Sequence, residues 1–347
     1  MQADLPGQLS RSFHQTVKSS DKTFDKEIDY FTKRKYTKMA IQMASRYGFN
    51  TLRLNNPRCG AQALLATQGA RPLAFWPKGE KSGFSALATN PEKPMRSTHV
   101  CWPNFGRLSL KNDGSDIQLD ENGKPAEGGI YGQYSLKRFG LGEEIMTLPM
   151  HGPAKTEEWQ VVESEESDAT MAFDHQPDKH FPFEARLVAK AAIEDDGTFR
   201  YDVSGIGEMP TDLAIHTYLT WLPGMNVAGL EGLEYFEGSD WKRAAAKQLG
   251  RSETRFDTLA ALEQHCLLDG MGVFDIVYPT IGQAIRYELF GLPEYPDQMV
   301  LWANPDEGSF LCMEPVLCER NSLNKGTAYM MRQGHLFSLG FSLRSLT

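Results

Sequence analysis

Cysteines, long apolar runs and familiar catalytic motifs are all scarce in this sequence. The cysteines are odd in number and none forms a CxxC pair: Cys59, Cys101, Cys266, Cys312 and Cys318. Neither a disulfide framework nor a zinc site is therefore indicated, and a reducing cytoplasm is the expected compartment.

No apolar run approaches the roughly 20 residues that are needed to span a bilayer. The N-terminal stretch MQADLPGQLSRSFHQ also lacks the apolar core of a secretory signal. We therefore expect a protein without a membrane-spanning segment.

The sequence contains no GxSxG elbow, P-loop, HExxH motif or EF-hand loop, and no dinucleotide fingerprint follows a first strand. The sequence therefore offers no obvious nucleophile for a serine hydrolase. We predict no cofactor and no metal.

Charge is distributed unevenly along the chain. The net charge of the chain is −9. Residues 1–46 carry nine basic and five acidic side chains, whereas the remainder carries 27 basic and 40 acidic side chains. An acidic body argues against nucleic acid as a partner. The basic run FTKRKYTK (31–38) is typical of a solvated helix face, with a localisation signal or a partner-protein contact as alternatives.

Hydrophobic residues make up 41% of the chain, which is enough for a sizeable core. A helical spacing of apolar residues predicts a helix over 24–46, after an irregular lead-in. Residues 47–347 read as many short strands separated by turns, with a hairpin around EDDG (194–197), a surface excursion at 107–147 and one helix over 239–249. The predicted fold is mainly β: a large antiparallel β-sandwich (47–347) behind a helical N-terminal extension (1–46).

His216 interrupts an otherwise apolar strand, AIHTYL. Leu213, Ile215, Thr217 and Leu219 share one face, whereas Ala214, His216, Tyr218 and Thr220 share the other, more polar face. A histidine there is either a hydrogen-bonded structural residue or a proton donor and acceptor near neutral pH.

Glu314 is the only polar side chain in FLCMEPVL. Burial would raise its pKa and make it a better base near neutrality. The alternative is a structural ion pair with an arginine on a neighbouring strand.

Other polar residues raise similar alternatives. His151 and Lys155 lie in LPMHGPAK, Arg96 precedes a Trp/Pro/Phe cluster, and Asp275 lies in the strand-like MGVFDIVYP. Arginine suits anionic or polyhydroxyl ligands because its planar fork donates several hydrogen bonds. An ordinary loop or surface role is the alternative for each.

Four segments resemble the galactose mutarotase-like superfamily, and most closely its hexose-6-phosphate mutarotase (glucose-6-phosphate 1-epimerase) branch. They are KPMRSTHVCWPNFG (93–106), LPMHGPAKTEEW (148–159), LAIHTYL (213–219) and LWANPDEGSFLCMEP (301–315). They occur in the family's order, and the resemblance covers roughly residues 50–347.

The resemblance implies a twisted β-sandwich with a sugar site on one sheet face. It implies His216 as general acid and Glu314 as general base, with Arg96 and His151 as substrate-binding residues. Lys155 takes the place of the family's arginine in "HGFAR", and Asp275 matches an aspartate expected to hold sugar hydroxyls.

The expected activity is anomer exchange of a hexose, in particular a hexose 6-phosphate. The sequence departs from the family pattern at Ser97 and Thr98, which replace two glycines, and at Ile276, which replaces an arginine. Two alternatives stay open for that reason: a mutarotase for neutral aldoses, and a non-catalytic carbohydrate-binding or regulatory protein.

Overall fold

The computed structural model describes most of the chain from Ala44 onward. The described residues, all in one compact unit, are 44–110, 131–231, 233–237, 247–248, 255–256, 265–268, 272–292, 298–303, 309–332 and 336–347. No helix among them is long and apolar enough to cross a membrane.

Twenty-four strands account for most of these residues. The first twelve are β1 (Ala44–Arg46), β2 (Phe49–Asn55), β3 (Gln62–Ala66), β4 (Arg71–Trp76), β5 (His99–Cys101), β6 (Tyr131–Ser135), β7 (Ile145–Pro149), β8 (Gln160–Ser164), β9 (Asp168–His175), β10 (Ala185–Ile193), β11 (Phe199–Gly207) and β12 (Pro210–Thr211). The others are β13 (Ala214–Thr220), β14 (Met225–Ala228), β15 (Glu234–Glu237), β16 (Lys247–Gln248), β17 (Arg255–Phe256), β18 (His265–Leu268), β19 (Val273–Tyr278), β20 (Gln283–Leu292), β21 (Gln298–Trp302), β22 (Phe310–Val316), β23 (Tyr329–Met330) and β24 (Phe337–Ser345).

Helical structure is sparse in the described part of the chain. It consists of one short α-helix, α1 (Ser322–Lys325), and four 3₁₀ turns at Glu80–Ser82, Lys137–Phe139, Pro153–Lys155 and Pro279–Ile281.

Two large antiparallel sheets dominate the fold. One has nine strands in the order β17-β14-β19-β20-β24-β11-β10-β9-β8, and the other has seven in the order β16-β15-β18-β21-β22-β13-β5. A four-stranded sheet, β1-β2-β3-β4, and the hairpin β6-β7 complete the larger pairings. The predicted antiparallel β-rich fold is therefore confirmed.

The main core lies between the two large sheets. The nine-stranded sheet contributes residues such as Tyr201 and Phe341, and the seven-stranded sheet contributes residues such as Ile215 and Met313. The Tyr287 hydroxyl on β20 donates to the Met313 carbonyl oxygen at 3.2 Å, which ties one sheet to the other. Residues on the far face of either sheet therefore point away from this core.

The EDDG turn forms the predicted hairpin, because Gly197 adopts a φ of 85° and Glu194 N donates to Thr198 O at 2.8 Å. The 107–147 excursion contains one hairpin among its described residues, β6-β7. Most of the two predicted helices, 24–46 and 239–249, lies outside the described residues. Their described ends correct the prediction, since 44–46 and 247–248 are strand.

Candidate active site

His216 and Glu314 face each other across two neighbouring strands. The register of β13 and β22 pairs Ala214 with Val316 and Thr217 with Met313, which sets His216 opposite Glu314. His216 Nε2 lies 3.2 Å from Glu314 Oε1. The sheet ladder therefore holds an imidazole and a carboxyl group at hydrogen-bonding distance.

The pair lies on the face of the seven-stranded sheet that points away from the main core. Ile215 and Leu219 belong to that core, whereas Tyr218 packs with Phe310 and Cys312 in a separate cluster. The His216 and Tyr218 rings stack at 4.6 Å, as their shared face predicts. Their face is not open to solvent, however: His216 is 6% and Tyr218 1% exposed. His151 and Arg96, which lie on loops, contact these two side chains.

Three histidines meet at this point. The His99 ring stacks on His216 at 4.9 Å, and the His151 ring meets His216 edge-on at 5.2 Å. His99 lies opposite His216 on the neighbouring strand β5. The cluster thus has two members on adjacent strands and a third from the loop after β7.

Hydrogen bonds fix the tautomers of two of these rings. His99 Nδ1 lies 2.8 Å from the Ser97 carbonyl oxygen, so this nitrogen carries the proton. His151 Nδ1 accepts from the Gly106 N–H at 3.1 Å and lies 3.2 Å from Cys101 Sγ, so this nitrogen is unprotonated. His99 Nε2 and His216 Nδ1 are buried and have no hydrogen-bond partner within the described part of the chain.

Burial sets the protonation of the central pair. It lowers the pKa of His216 well below its usual value, and the nearby cations Lys155 and Arg96 lower it further. It raises the pKa of Glu314 well above its usual value, which Arg320 partly opposes. Both effects favour a neutral imidazole beside a protonated carboxyl group over an ion pair.

Cationic side chains surround the histidines. Arg96 hydrogen-bonds the Tyr218 side chain. Burial, with Arg71 and Arg96 nearby, lowers the pKa of Lys155 to about 8. Arg320 is close enough to His151 to lower the pKa of that histidine, although burial is the larger cause. The site is therefore positively charged around one buried carboxyl group.

His151 depends on a tight turn. It has a φ of 69°, and the following Gly152 has a φ of 73°. A Cβ on Gly152 would lie 1.8 Å from the Trp102 carbonyl oxygen, so only glycine fits there. The turn also exchanges backbone hydrogen bonds with its neighbours, since Trp102 N donates to His151 O at 3.1 Å and His151 N to Gly106 O at 3.0 Å.

The structure brings five of the six sequence-predicted residues together but not Asp275. That residue lies on β19, between Phe274 and Ile276, whose side chains enter the main core from the nine-stranded sheet. Its carboxylate is paired with Arg286 at 2.8 and 3.0 Å. Asp275 therefore points outward on the opposite side of the sandwich, and we leave it out of the site.

Sequence reasoning missed three neighbours: Arg71, His99 and Arg320. The other residues of the strand that Arg71 begins are apolar, and His99 lies on the three-residue strand β5, which was not predicted. The alternation of His99 and Cys101 around Val100 is the one signal that favoured a strand with a polar face.

Ligand-type atoms are close together in the cluster. One atom of each residue that could ligate a metal (a ring nitrogen, a Cys Sγ or a carboxylate oxygen) lies within 4.8 Å of the others in two groups. The groups are His99, Cys101 and His151, and His216, Cys312 and Glu314. The surrounding Lys155 and arginine charges disfavour a divalent cation and favour an anion. A separate cavity of about 740 Å³, lined by Trp76, Phe84 and Thr220 among others, includes none of the predicted site residues.

Known structures share this architecture. The Slr1438 protein of Synechocystis sp. PCC 6803 matches with a TM-score of 0.63 and 16% identity, covering 89% of this chain and 99% of that one. A galactose mutarotase related enzyme from Lactobacillus acidophilus matches with a TM-score of 0.65 and 12% identity, covering 86% and 97%. Galactose 1-epimerase from Lactobacillus acidophilus NCFM matches with a TM-score of 0.58 and 12% identity, covering 88% and 99%.

These likenesses confirm the galactose mutarotase-like fold. No curated protein sequence matches significantly. The model of the Aldose 1-epimerase family matches residues 50–324, which include all five residues gathered at the site. On that match, the chain belongs to the aldose 1-epimerase family.

Proposed function

We propose that this protein exchanges the anomers of a hexose phosphate such as glucose 6-phosphate, with His216 and Glu314 as the proton-transfer pair. The 3.2 Å contact between His216 Nε2 and Glu314 Oε1 carries the proposal. Anomer exchange needs one group to serve the C1 hydroxyl and another to serve the ring oxygen. Because both oxygens are bonded to C1, the two groups must lie close together, as these do.

The proton count balances on this pair. In the direction that the family resemblance implies, the Glu314 carboxylate takes the C1 hydroxyl proton while protonated His216 donates to the ring oxygen. The bond between C1 and the ring oxygen breaks, and C1 becomes an aldehyde carbon. The pair carries one proton before and after this step. Rotation about C1–C2 and the reverse transfers close the other anomer.

Burial favours the proton on Glu314 in the free protein, because it raises the carboxyl pKa and lowers the imidazole pKa. The catalytic form needs that proton on His216 instead. Transfer across the 3.2 Å contact supplies it, so the two forms belong to one coupled pair. Both the resting form and the catalytic form therefore hold one proton on the pair near neutral pH.

The cationic surroundings support a phosphorylated substrate. Arg96 and Lys155 lie on the covering loops, and both are close enough to His216 to lower its pKa. A phosphate group near them would gain charge-assisted hydrogen bonds in a largely desolvated site.

NMR exchange spectroscopy between the α and β anomers of glucose 6-phosphate tests the proposal. We expect His216→Ala and Glu314→Gln each to slow exchange by about 10²–10⁴-fold with the fold intact. Asp275→Asn is the matched control, since it makes the same carboxylate-to-amide change on the far side of the sandwich. Unchanged exchange in either site variant would refute the assignment.

One observation favours the non-catalytic alternative. Glu314 is only 2% exposed, so a sugar must displace covering side chains to reach it. Half-buried Trp302, whose ring is 5.8 Å from that of His216, lies beside the pair. Calorimetric binding of glucose 6-phosphate without faster anomer exchange would favour a carbohydrate-binding protein on the same fold.

A further inference from the structure

Arg71 is a fully buried arginine beside the site. Its exposure is 0%, and burial lowers its pKa to about 10, which leaves it charged at neutral pH. None of its hydrogen-bond acceptors in the described chain is a carboxylate. Burying a charge without a carboxylate partner is unfavourable, because the ion loses its hydration. Arg71 is therefore a candidate for a functional role.

The guanidinium joins two loops that carry substrate-binding candidates. Arg71 Nη1 donates to the carbonyl oxygens of Met95 at 3.2 Å and Ser97 at 3.5 Å, which flank Arg96. Arg71 Nη2 donates to the Lys155 carbonyl oxygen at 2.6 Å. One side chain therefore holds the backbones of both cationic residues.

We propose that Arg71 is a positioning residue that fixes the separation of Arg96 and Lys155 for recognition of the substrate phosphate. The proposal rests on the proposed function, because it takes those two residues as the phosphate ligands. The planar guanidinium suits the task, since its two Nη groups donate in fixed and different directions. A lysine at position 71 would keep the charge but lose this fork.

Its place in the chain supports a role at the site rather than in the core. Arg71 lies close enough to His99 and His216 to lower their pKa values, although burial and, for His216, Lys155 and Arg96 rank above it. Its neighbour Ala70 accepts a hydrogen bond from the buried Tyr201 hydroxyl at 2.7 Å, which anchors the start of β4. The side chain thus projects from a fixed point of the sheet toward the covering loops.

Two variants test the role: Arg71→Met removes the charge and the fork, and Arg71→Lys removes the fork alone. We expect both to raise KM for glucose 6-phosphate by about tenfold or more, as loss of one or two such hydrogen bonds allows. We expect kcat of Arg71→Lys to change by less than about threefold, because lysine keeps the charge near His216 and the His216–Glu314 pair lies on the sheet beneath the loops. Arg53→Met, which alters an exposed arginine on β2, is the matched control.

Backbone hydrogen exchange without ligand provides a second readout. Both variants should lose protection at 93–97 and at 153–156 together, whereas Arg53→Met should lose it at neither. The paired loss is specific to one side chain that bridges the two loops. The Arg71→Lys variant retains the buried charge, so it also covers the case in which Arg71→Met does not fold.

The results that overturn the proposal are distinct. Unchanged protection of either loop, or an unchanged KM for glucose 6-phosphate, rules out positioning by Arg71. If the Arg71 variants keep the wild-type KM and lose kcat equally for glucose and for glucose 6-phosphate, positioning by Arg71 is ruled out as well. If the wild-type protein itself does not prefer glucose 6-phosphate to glucose, the phosphate proposal fails and this one with it, before any variant is made.

Discussion

Glu314 lies directly opposite His216 in the β13–β22 ladder, so a backbone register sets the distance between the two groups. The ladder places their side chains on the same face, and the resulting Nε2–Oε1 separation is 3.2 Å. Two residues far apart in the chain thus meet without help from a flexible loop. A site built on paired strands is held more accurately than one built on loops, which suits transfer of protons to two oxygens on one carbon.

Removing the charge of either Arg96 or Lys155 should reduce the preference for phosphorylated sugar. We expect Arg96→Met and Lys155→Met each to raise KM for glucose 6-phosphate by about tenfold or more, since each removes a charge-assisted hydrogen bond in a desolvated site. KM for free glucose should change less. Competition between the two sugars in an anomer-exchange assay measures this, with Lys137→Met, whose ammonium pairs with exposed Glu143, as the control. An equal loss for both sugars would contradict a phosphate role.

Binding of the phosphorylated sugar should weaken as pH rises through about 8. Burial lowers the pKa of Lys155 to about 8, so this side chain is charged below that pH and neutral above it. KM for glucose 6-phosphate should therefore increase above about pH 8, while KM for glucose should not. Lys155→Arg should abolish the increase, because arginine stays protonated throughout this range. A pH dependence that survives in Lys155→Arg would assign the titration to another group.

The sequence predicted that His216 and Glu314 lie on strands, and five of the six residues it singled out lie together in the structure. Alternation in AIHTYL predicted the shared face of His216 and Tyr218, and the lone Glu314 in an apolar strand marked a carboxyl group that the structure places beside His216. Strand pairing could not be predicted in the same way, because register depends on the whole sheet rather than on one segment. Asp275 illustrates the limit: a charge in a strand reads alike whether it faces a ligand or an arginine such as Arg286.

Burial was the least predictable property. The polar residues on the face with His216 suggested an exposed surface. In the structure His216 is 6% exposed, and loops that carry Arg96 and His151 lie against this face. Arg71 could not be recognised as a neighbour of the site because its partners are backbone carbonyls, which leave no mark on the sequence, and the hydroxyl of the distant Ser97. The positions of Arg96 and Lys155 relative to each other likewise follow from tertiary contacts alone.

Acid should destabilise the protein partly through its buried histidines. Burial lowers the pKa of His99 well below its usual value, so the folded state keeps this ring neutral while the unfolded chain binds a proton below about pH 6.5. The unfolded state then holds more protons, and the free energy of unfolding falls as pH decreases, by up to about 1.4 kcal/mol per pH unit for each such histidine. The loss begins at the unfolded-state pKa and continues below it.

His99→Asn isolates one of these contributions. Asparagine can keep the donor to the Ser97 carbonyl oxygen but does not titrate. Between pH 6.5 and 5, the free energy of unfolding of the variant should therefore fall less steeply, by up to about 1.4 kcal/mol per pH unit. Glu314 and Asp212, whose raised pKa values act in the opposite sense, are present in both proteins and cancel in the comparison. Urea unfolding across this range measures the slopes, and equal slopes would contradict a neutral buried His99.

Gly152 should tolerate no side chain, because it holds the turn that delivers His151. Its φ is 73°, and an added Cβ would lie 1.8 Å from the Trp102 carbonyl oxygen, a backbone atom that cannot rotate away. Gly140 is a matched control: its φ is 72°, yet nothing lies within 4 Å of an added Cβ. Gly140→Ala should therefore cost only the strain of a left-handed alanine, about 1–2 kcal/mol. Gly152→Ala should cost several kcal/mol and, where it still folds, should slow anomer exchange because His151 and the Trp102 backbone must separate. Urea unfolding of both variants measures the difference in stability, and the exchange assay measures the effect on activity. Equal stability of the two variants would contradict the tight contact between Gly152 and the Trp102 carbonyl oxygen.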